Sequence, residues 1–153
     1  MPNVDFIEHL SEKLFRSNLK ARNKDQVLNE LIDLFVAEKF IRNRGIVLKM
    51  LKQRETLGST GLGKGIAIPH GRTTAAPEVL IAFGKSEQGI DFDAADKKPV
   101  HLFFMIIAPP NDKENSYFPI LGSLVTKLNS ASKRKKLRKV ASFEELVTVL
   151  SEE

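Results

Sequence analysis

Apolar and polar positions along this chain alternate with two different periods, and the change of period marks out the elements. From Asp25 to Phe40 the apolar residues Val27, Leu28, Leu31, Ile32, Leu34 and Phe35 recur at helical spacing, which predicts an amphipathic helix. Asn23 stands where an N-cap belongs, with Gln26 three residues on. A second helix is expected from near Asn43, placing Ile46, Val47, Met50 and Leu51 on one face and ending around Arg54-Glu55. Gly58, Gly61, Gly63 and Gly65 then follow in quick succession and forbid its continuation.

Past the glycines the pattern shortens to strand-like runs. Ile66-Ala67-Ile68 stops at Pro69, Val79–Phe83 stops near Gly84, and Val100–Ile107 stops at Pro109-Pro110. The last run is apolar on both alternations, as expected of a central strand covered on both faces. Helical spacing returns with Ile120, Leu121, Leu124, Val125 and Leu128, followed by a short basic helix. Ser142-Phe-Glu-Glu145 then reads as a capping box opening a final helix through Leu150. Helices on either side of a block of strands predict an α/β sandwich, and no repeat or linker divides residues 1–153 into more than one domain.

Composition narrows the chemistry. The chain has 153 residues, no cysteine, 42% hydrophobic and 28% charged residues. That excludes disulfide scaffolds, thiolate metal sites and cysteine nucleophiles, and it fits a reducing compartment. The longest apolar run falls short of the roughly 18 to 20 residues a membrane span needs. Asp5 and Glu8 sit where a signal peptide would carry basic residues, so a cytoplasmic protein with no membrane insertion is expected. The net charge of +5 comes from one stretch, Lys127–Lys139, which is rich in Lys and Arg and contains no acid. A solvated helix face accounts for such a stretch more simply than nucleic-acid binding, because no helix-turn-helix, zinc finger or RNA-binding motif accompanies it.

The densest chemistry lies between Arg54 and Arg72. Gly58-xxxx-Gly63-Lys64 has the outline of a P-loop, but Gly65 occupies the place of the hydroxyl residue that would hold a magnesium ion. The order is also inverted, since this loop leaves a helix and enters a strand. A second reading fits better: glycines that let backbone N–H groups converge on an anion, hydroxyls at Ser59 and Thr60, and guanidinium groups at Arg54 and Arg72. His70, held between Pro69 and Gly71, would then be a nucleophile for phosphoryl transfer. A turn histidine beside a structural glycine loop accounts for the same residues equally well, and Arg72 is as well suited to Glu78 as to phosphate.

Leu57-Gly-Ser-Thr-Gly-Leu-Gly-Lys-Gly-Ile-Ala-Ile-Pro-His-Gly-Arg72 closely resembles the active-site signature of the fructose/mannitol type of enzyme IIA of the bacterial phosphotransferase system. The likeness continues through Gly89–Phe104, Ala108-Pro109 and the terminal Ser142–Leu150 segment, and the chain is most similar to the nitrogen-regulatory branch. The resemblance implies a mixed, about five-stranded sheet with helices on both faces. It implies a phosphocarrier in which His70 accepts a phosphoryl group, as a tele-phosphohistidine, from a histidine phosphocarrier protein. The recipient would be a IIB domain or a regulatory target such as a transporter or sensor kinase. Arg54, Ser59 and Thr60 match positions lining that site, with Arg72, Gly61 and Gly63 as further candidates. No metal or cofactor is implied, since transfer between two histidines requires none.

One position departs from the family. A second active-site histidine usually opens the helix after the Ala-Pro strand end, and here Tyr117 falls at that place. Tyrosine donates a hydrogen bond but carries no positive charge near neutral pH. The departure admits a regulatory binding module with weak or lost transfer. Of the other histidines, His101 in the central strand and His9 near the N-terminus read as structural.

Overall fold

The computed structural model describes residues 6–112 and 115–152. A 3-10 turn, Phe6–His9, leads into strand β1 (Leu10–Arg16), helix α1 (Lys24–Ala37) and helix α2 (Arg44–Thr56). Short strands β2 (Gly61–Gly63), β3 (Ile66–Ala67) and β4 (His70–Arg72) precede the long strands β5 (Leu80–Ile90) and β6 (Val100–Ala108). Helices α3 (Tyr117–Leu128), α4 (Ala131–Leu137) and α5 (Phe143–Ser151) complete the described chain.

The helix starts follow their local chemistry. The Asn23 side chain accepts from the Gln26 N–H at 2.8 Å, Asn43 from Ile46 at 3.1 Å, and Ser142 from Glu145 at 3.1 Å. Each satisfies an N–H that has no partner inside its helix. Glu145 reaches back to the Ala141 N–H at 3.2 Å, one residue before the cap.

The strands form one mixed sheet of six, ordered β1-β5-β6-β3-β2, with β4 also on β6. The expected five becomes six because one run along β6 is divided into β3 and β4, and β1, which carries no strong alternation of its own, pairs parallel to β5. Gly84 does not end β5. A side chain there would lie 2.9 Å from Leu19 and Leu31, so this glycine admits a close approach of the α1 layer within a continuous strand. Strand β6 is the spine: it runs antiparallel to β5 on one side and parallel to β3 and β4 on the other. Its side chains feed two cores. Phe103, Met105 and Ile107 join Phe35, Leu31 and Leu51 beneath α1 and α2. Leu102, Phe104 and Ile106 join Ile120, Leu124 and Leu146 beneath α3 and α5. Among the described residues no helix is long and apolar enough to cross a membrane.

Strands β3 and β4 are two parts of one run. Ile66 pairs with Leu102 and His70 with Ile106 in unbroken register. Pro69 only removes a donor from the ladder, and its carbonyl still accepts the Ile106 N–H at 2.9 Å. Period-two alternation therefore points Ile66, Ile68, His70 and Arg72 to the α3 side. Ala67 and Gly71 point to the α2 side, and a Cβ on Gly71 would come to 2.0 Å from the Met50 sulfur.

Candidate functional site

His70 stands at the C-terminal ends of the parallel pair β4 and β6, between the last turn of α2 and the first turn of α3. Its Nδ1–H donates to the Ile68 carbonyl two residues earlier, at 2.6 Å. That bond fixes the tautomer, leaving Nε2 with the free electron pair. The ring is half-buried, and this desolvation is the largest influence on its pKa, which lies below the ordinary 6.5. The Ile68 bond acts in the opposite sense, the Arg54 cation lowers it further, and Glu55 raises it. The balance favours a neutral imidazole, the form a nucleophile requires.

Two guanidinium groups lie near the site, Arg54 within reach of the His70 charge and Arg72 over Tyr117. Arg54 donates through Nη1 to the Gly58 carbonyl at 2.9 Å, closing the end of α2, and its charge is felt at both His70 and Tyr117. Arg72 lies over the Tyr117 ring, 5.0 Å from its centroid, and over the Phe118 ring at 4.8 Å. These stacked faces hold the cation by its attraction to their π density. Tyr117 opens α3 as expected, its ring centroid 6.3 Å from that of His70. Asp112 accepts from the Tyr117 N–H at 2.9 Å and the Ser116 N–H at 2.6 Å. Burial pushes the Tyr117 phenol up to about 12, with Arg72 and Arg54 pulling the other way, so it remains an O–H donor throughout the neutral range.

The hydroxyls expected to face an anion donate to groups outside the loop. Ser59 Oγ–H donates to the Phe92 carbonyl at 2.6 Å, while the oxygen accepts the Gly61 N–H at 3.0 Å. Thr60 donates its hydroxyl to Glu55, and its N–H donates to the same carboxylate at 3.0 Å. Gly61 and Gly63 belong to the β2–β3 hairpin, whose turn at Lys64-Gly65 is left-handed (φ 59° and 81°). Gly61 packs against Ala94 and Gly63 against the Asp96 carboxylate. Antiparallel register carries Gly63 away from His70, so these glycines serve close packing rather than an anion nest. The sequence reading placed Glu55 only at the end of the second helix, although it adjoins Arg54. Its partners Lys24 and Thr60 come from separate elements, and pairing of that kind leaves no short-range pattern.

The other histidines lie elsewhere. His101 is five residues along β6 from Ile106, about 16 Å at strand rise, and its Nδ1 lies 2.9 Å from the Ser86 carbonyl. His9 Nδ1 lies 3.0 Å from the Val79 carbonyl. The basic stretch is partly tied down: Lys127 donates to the Glu152 carbonyl, Lys136 pairs with the Glu152 carboxylate, and Arg134 donates to the Leu128 carbonyl. Among the described residues no group of three acidic or histidine side chains is placed to hold a metal ion.

Residues 8–153 match the family described as phosphoenolpyruvate-dependent sugar phosphotransferase system, EIIA 2. The fructose-specific EIIA component of Haloferax volcanii is 38% identical over 129 residues, covering 84% of this chain and 83% of that one. The fructose-specific EIIABC component of Bacillus subtilis is 30% identical over 145 residues; the match covers 95% of this chain but 23% of that longer protein. The crystal structure of the nitrogen regulatory protein IIA-Ntr from Neisseria meningitidis superposes with a TM-score of 0.86 at 33% identity, covering 94% of this chain and 97% of that one.

Proposed function

Because the chain belongs to the EIIA type 2 family of the phosphotransferase system, we propose that it is a phosphocarrier whose acceptor atom is Nε2 of His70. The donor is the phosphohistidine of a small histidine carrier protein. The recipient is a IIB domain, or a regulatory target such as a transporter or sensor kinase whose binding the phosphoryl group controls. Residues 1–153 act as one IIA domain in the cytoplasm.

The observation that carries this reading is the 2.6 Å bond from Nδ1–H to the Ile68 carbonyl. It presents a neutral ring with its lone pair on Nε2. In the transfer, that pair forms a bond to phosphorus as the donor's P–N bond breaks. The breaking pair returns to the donor ring, which leaves as neutral imidazole. Positive charge moves with the phosphoryl group onto the His70 ring, where the Ile68 carbonyl still accepts the Nδ1–H. Arg54 and Arg72 stabilise the anionic phosphoryl oxygens, and Tyr117 supplies an O–H donor without charge. Ser59 and Thr60 hold the loop in place, and each would reach a phosphoryl oxygen only by releasing its present acceptor.

Intact-mass measurement after incubation with phosphoenolpyruvate, enzyme I and the histidine carrier tests this. One acid-labile phosphoryl group should appear and be absent in His70→Ala. An acid-stable adduct, or undiminished labelling of His70→Ala, would overturn the assignment. No adduct with donors of either the sugar or the nitrogen branch would favour a regulatory binding module, the reading that Tyr117 motivates.

A further inference from the structure

The glycine loop is fastened to α2 by one nearly buried carboxylate. Glu55, with 6% of its side chain exposed, accepts the Thr60 N–H at 3.0 Å and the Thr60 hydroxyl. The Lys24 ammonium at the start of α1 sits 3.0 Å from the same carboxylate and also covers the Phe92 ring at 4.7 Å. From Thr60 the connection continues through the backbone. The Thr60 carbonyl accepts the Ile68 N–H at 3.0 Å, and the Ile68 carbonyl accepts Nδ1–H of His70 at 2.6 Å. Each link joins groups that chain connectivity alone leaves free to move. The Ile68 carbonyl is the acceptor that selects the His70 tautomer, so its placement matters to the reactive nitrogen.

We propose that Glu55, with Lys24 as its counter-ion, is the positioning residue for His70: it holds Thr60, Thr60 holds Ile68, and Ile68 holds the imidazole by Nδ1. The inference rests on His70 being the phosphoryl acceptor, yet it concerns an arrangement present before any donor binds. Neither Glu55 nor Lys24 touches the transferred group. Beside the direct effect of the Glu55 charge on His70, their positioning effect passes through the direction of the Ile68 carbonyl, and it disappears when the carboxylate no longer draws in both Thr60 donors. A side chain held off its productive geometry by about 1 Å costs on the order of a hundredfold in rate. A partial loosening of this path is therefore expected to slow phosphoryl acceptance by about tenfold or more.

The test compares wild type, Glu55→Gln and the double variant Lys24→Met/Glu55→Gln, which leaves no unpaired ammonium against the loop and protects the fold. Nitrogen-15 NMR of the imidazole reads the tautomer and titration of His70 without any donor, and intact mass reads the rate of phosphoryl acceptance. The expected result is a wild-type ring almost wholly in the Nδ1–H form. Both variants should show a larger share of Nε2–H; the titration shifts on loss of the Glu55 charge alone, so the tautomer ratio decides. Acceptance should be at least about tenfold slower, with thermal unfolding still cooperative. Thr60→Val, which keeps the N–H link and loses the hydroxyl, should fall between wild type and Glu55→Gln. A wild-type tautomer ratio in folded Glu55→Gln and in the double variant would overturn the proposal, whatever the rate. Should wild type accept no phosphoryl group while its tautomer still shifts on Glu55→Gln, the carrier reading fails and the positioning role stands.

Discussion

Two histidines of this protein make the same first contact and end in different situations. His70 and His101 lie on adjoining, parallel strands, and each directs Nδ1 at a backbone carbonyl, Ile68 at 2.6 Å and Ser86 at 2.9 Å. At His70 the Ile68 carbonyl is the one partner of Nδ1 among the described residues, so Nδ1 donates and the electron pair is left on Nε2. At His101 the Arg138 guanidinium approaches the same Nδ1 at 3.2 Å. That nitrogen cannot donate to Ser86 and accept from Arg138 at once, so its tautomer is divided between two partners. Gly89 also packs close to the His101 ring, where an added Cβ would come to 2.8 Å from Cε1 and 3.1 Å from Nε2. A shared backbone contact therefore does not make a nucleophile. What separates the two rings is that Nδ1 of His70 has a carbonyl acceptor without a competing guanidinium among the described residues, and the Arg54 charge acts on that ring.

The sharpest break of this comparison is removal of each ring in turn. His70→Ala is expected to abolish the acid-labile phosphoryl adduct, and His101→Gln to leave it in place; an adduct lost only in His101→Gln would exchange the two roles. Next in size are the two cations. Arg54→Ala should slow acceptance by about a hundredfold, the usual loss when a charge-stabilising donor goes. Arg72→Ala, removing a cation stacked on Tyr117 and Phe118 at the exposed rim, should cost about tenfold. Rapid-quench rates would order them, and a larger loss at Arg72 would show that it has taken over the second histidine's place.

Glycine neighbours sharpen the contrast in stability. Gly71→Ala drives a methyl group into the Met50 thioether and should destabilise by about 1 to 3 kcal/mol, with Met50→Ala relieving part of it. Gly89→Ala meets Pro99 at 2.7 Å and also sits at φ +87°, which adds about 1 to 2 kcal/mol. Chemical denaturation should therefore rank Gly89→Ala as the more damaging.

The smallest effect is the dependence on pH. Burial keeps the folded-state pKa of His70 below 6.5, so acceptance should persist below the pH at which an ordinary histidine protonates and fall only at more acidic values. The unfolded chain binds a proton at this residue near 6.5 while the folded chain does not. This site's contribution is therefore present above that value and is lost as pH falls from 6.5 towards the lower folded pKa. Melting curves of wild type and His70→Gln across that window should converge as pH falls if wild type starts higher. A difference independent of pH would contradict the direction of the shift.

Much of the fold was legible because its signals are local. Asn23, Asn43 and Ser142 cap helices whose apolar stripes are written in adjacent residues, and Val100–Ala108 reads as central strand from its apolar run alone. Other elements were not legible for the same reason. Strand β1 takes its structure from β5, and Gly84, read as a stop, lies inside a strand because Leu19 and Leu31 need its missing side chain. At the site, His70, Arg54, Arg72 and Tyr117 were all named from the sequence, and the fold gathers them between α2, β4 and α3.

The sequence by itself determined the identities of the candidate site residues: a histidine between proline and glycine, two nearby arginines, and a tyrosine at the head of a helix. Those identities are covalent facts, and their spacing along one strand and two helix ends follows from short-range geometry. Only the tertiary structure decided how they are partnered. Folding turned the Ser59 and Thr60 hydroxyls inward, brought Lys24 to Glu55, laid Arg72 over Tyr117, and gave Nδ1 of His70 one acceptor where Nδ1 of His101 has two polar neighbours. A hydrogen bond selects whichever donor and acceptor packing brings within about 3 Å, and packing is settled by contacts across the whole sheet.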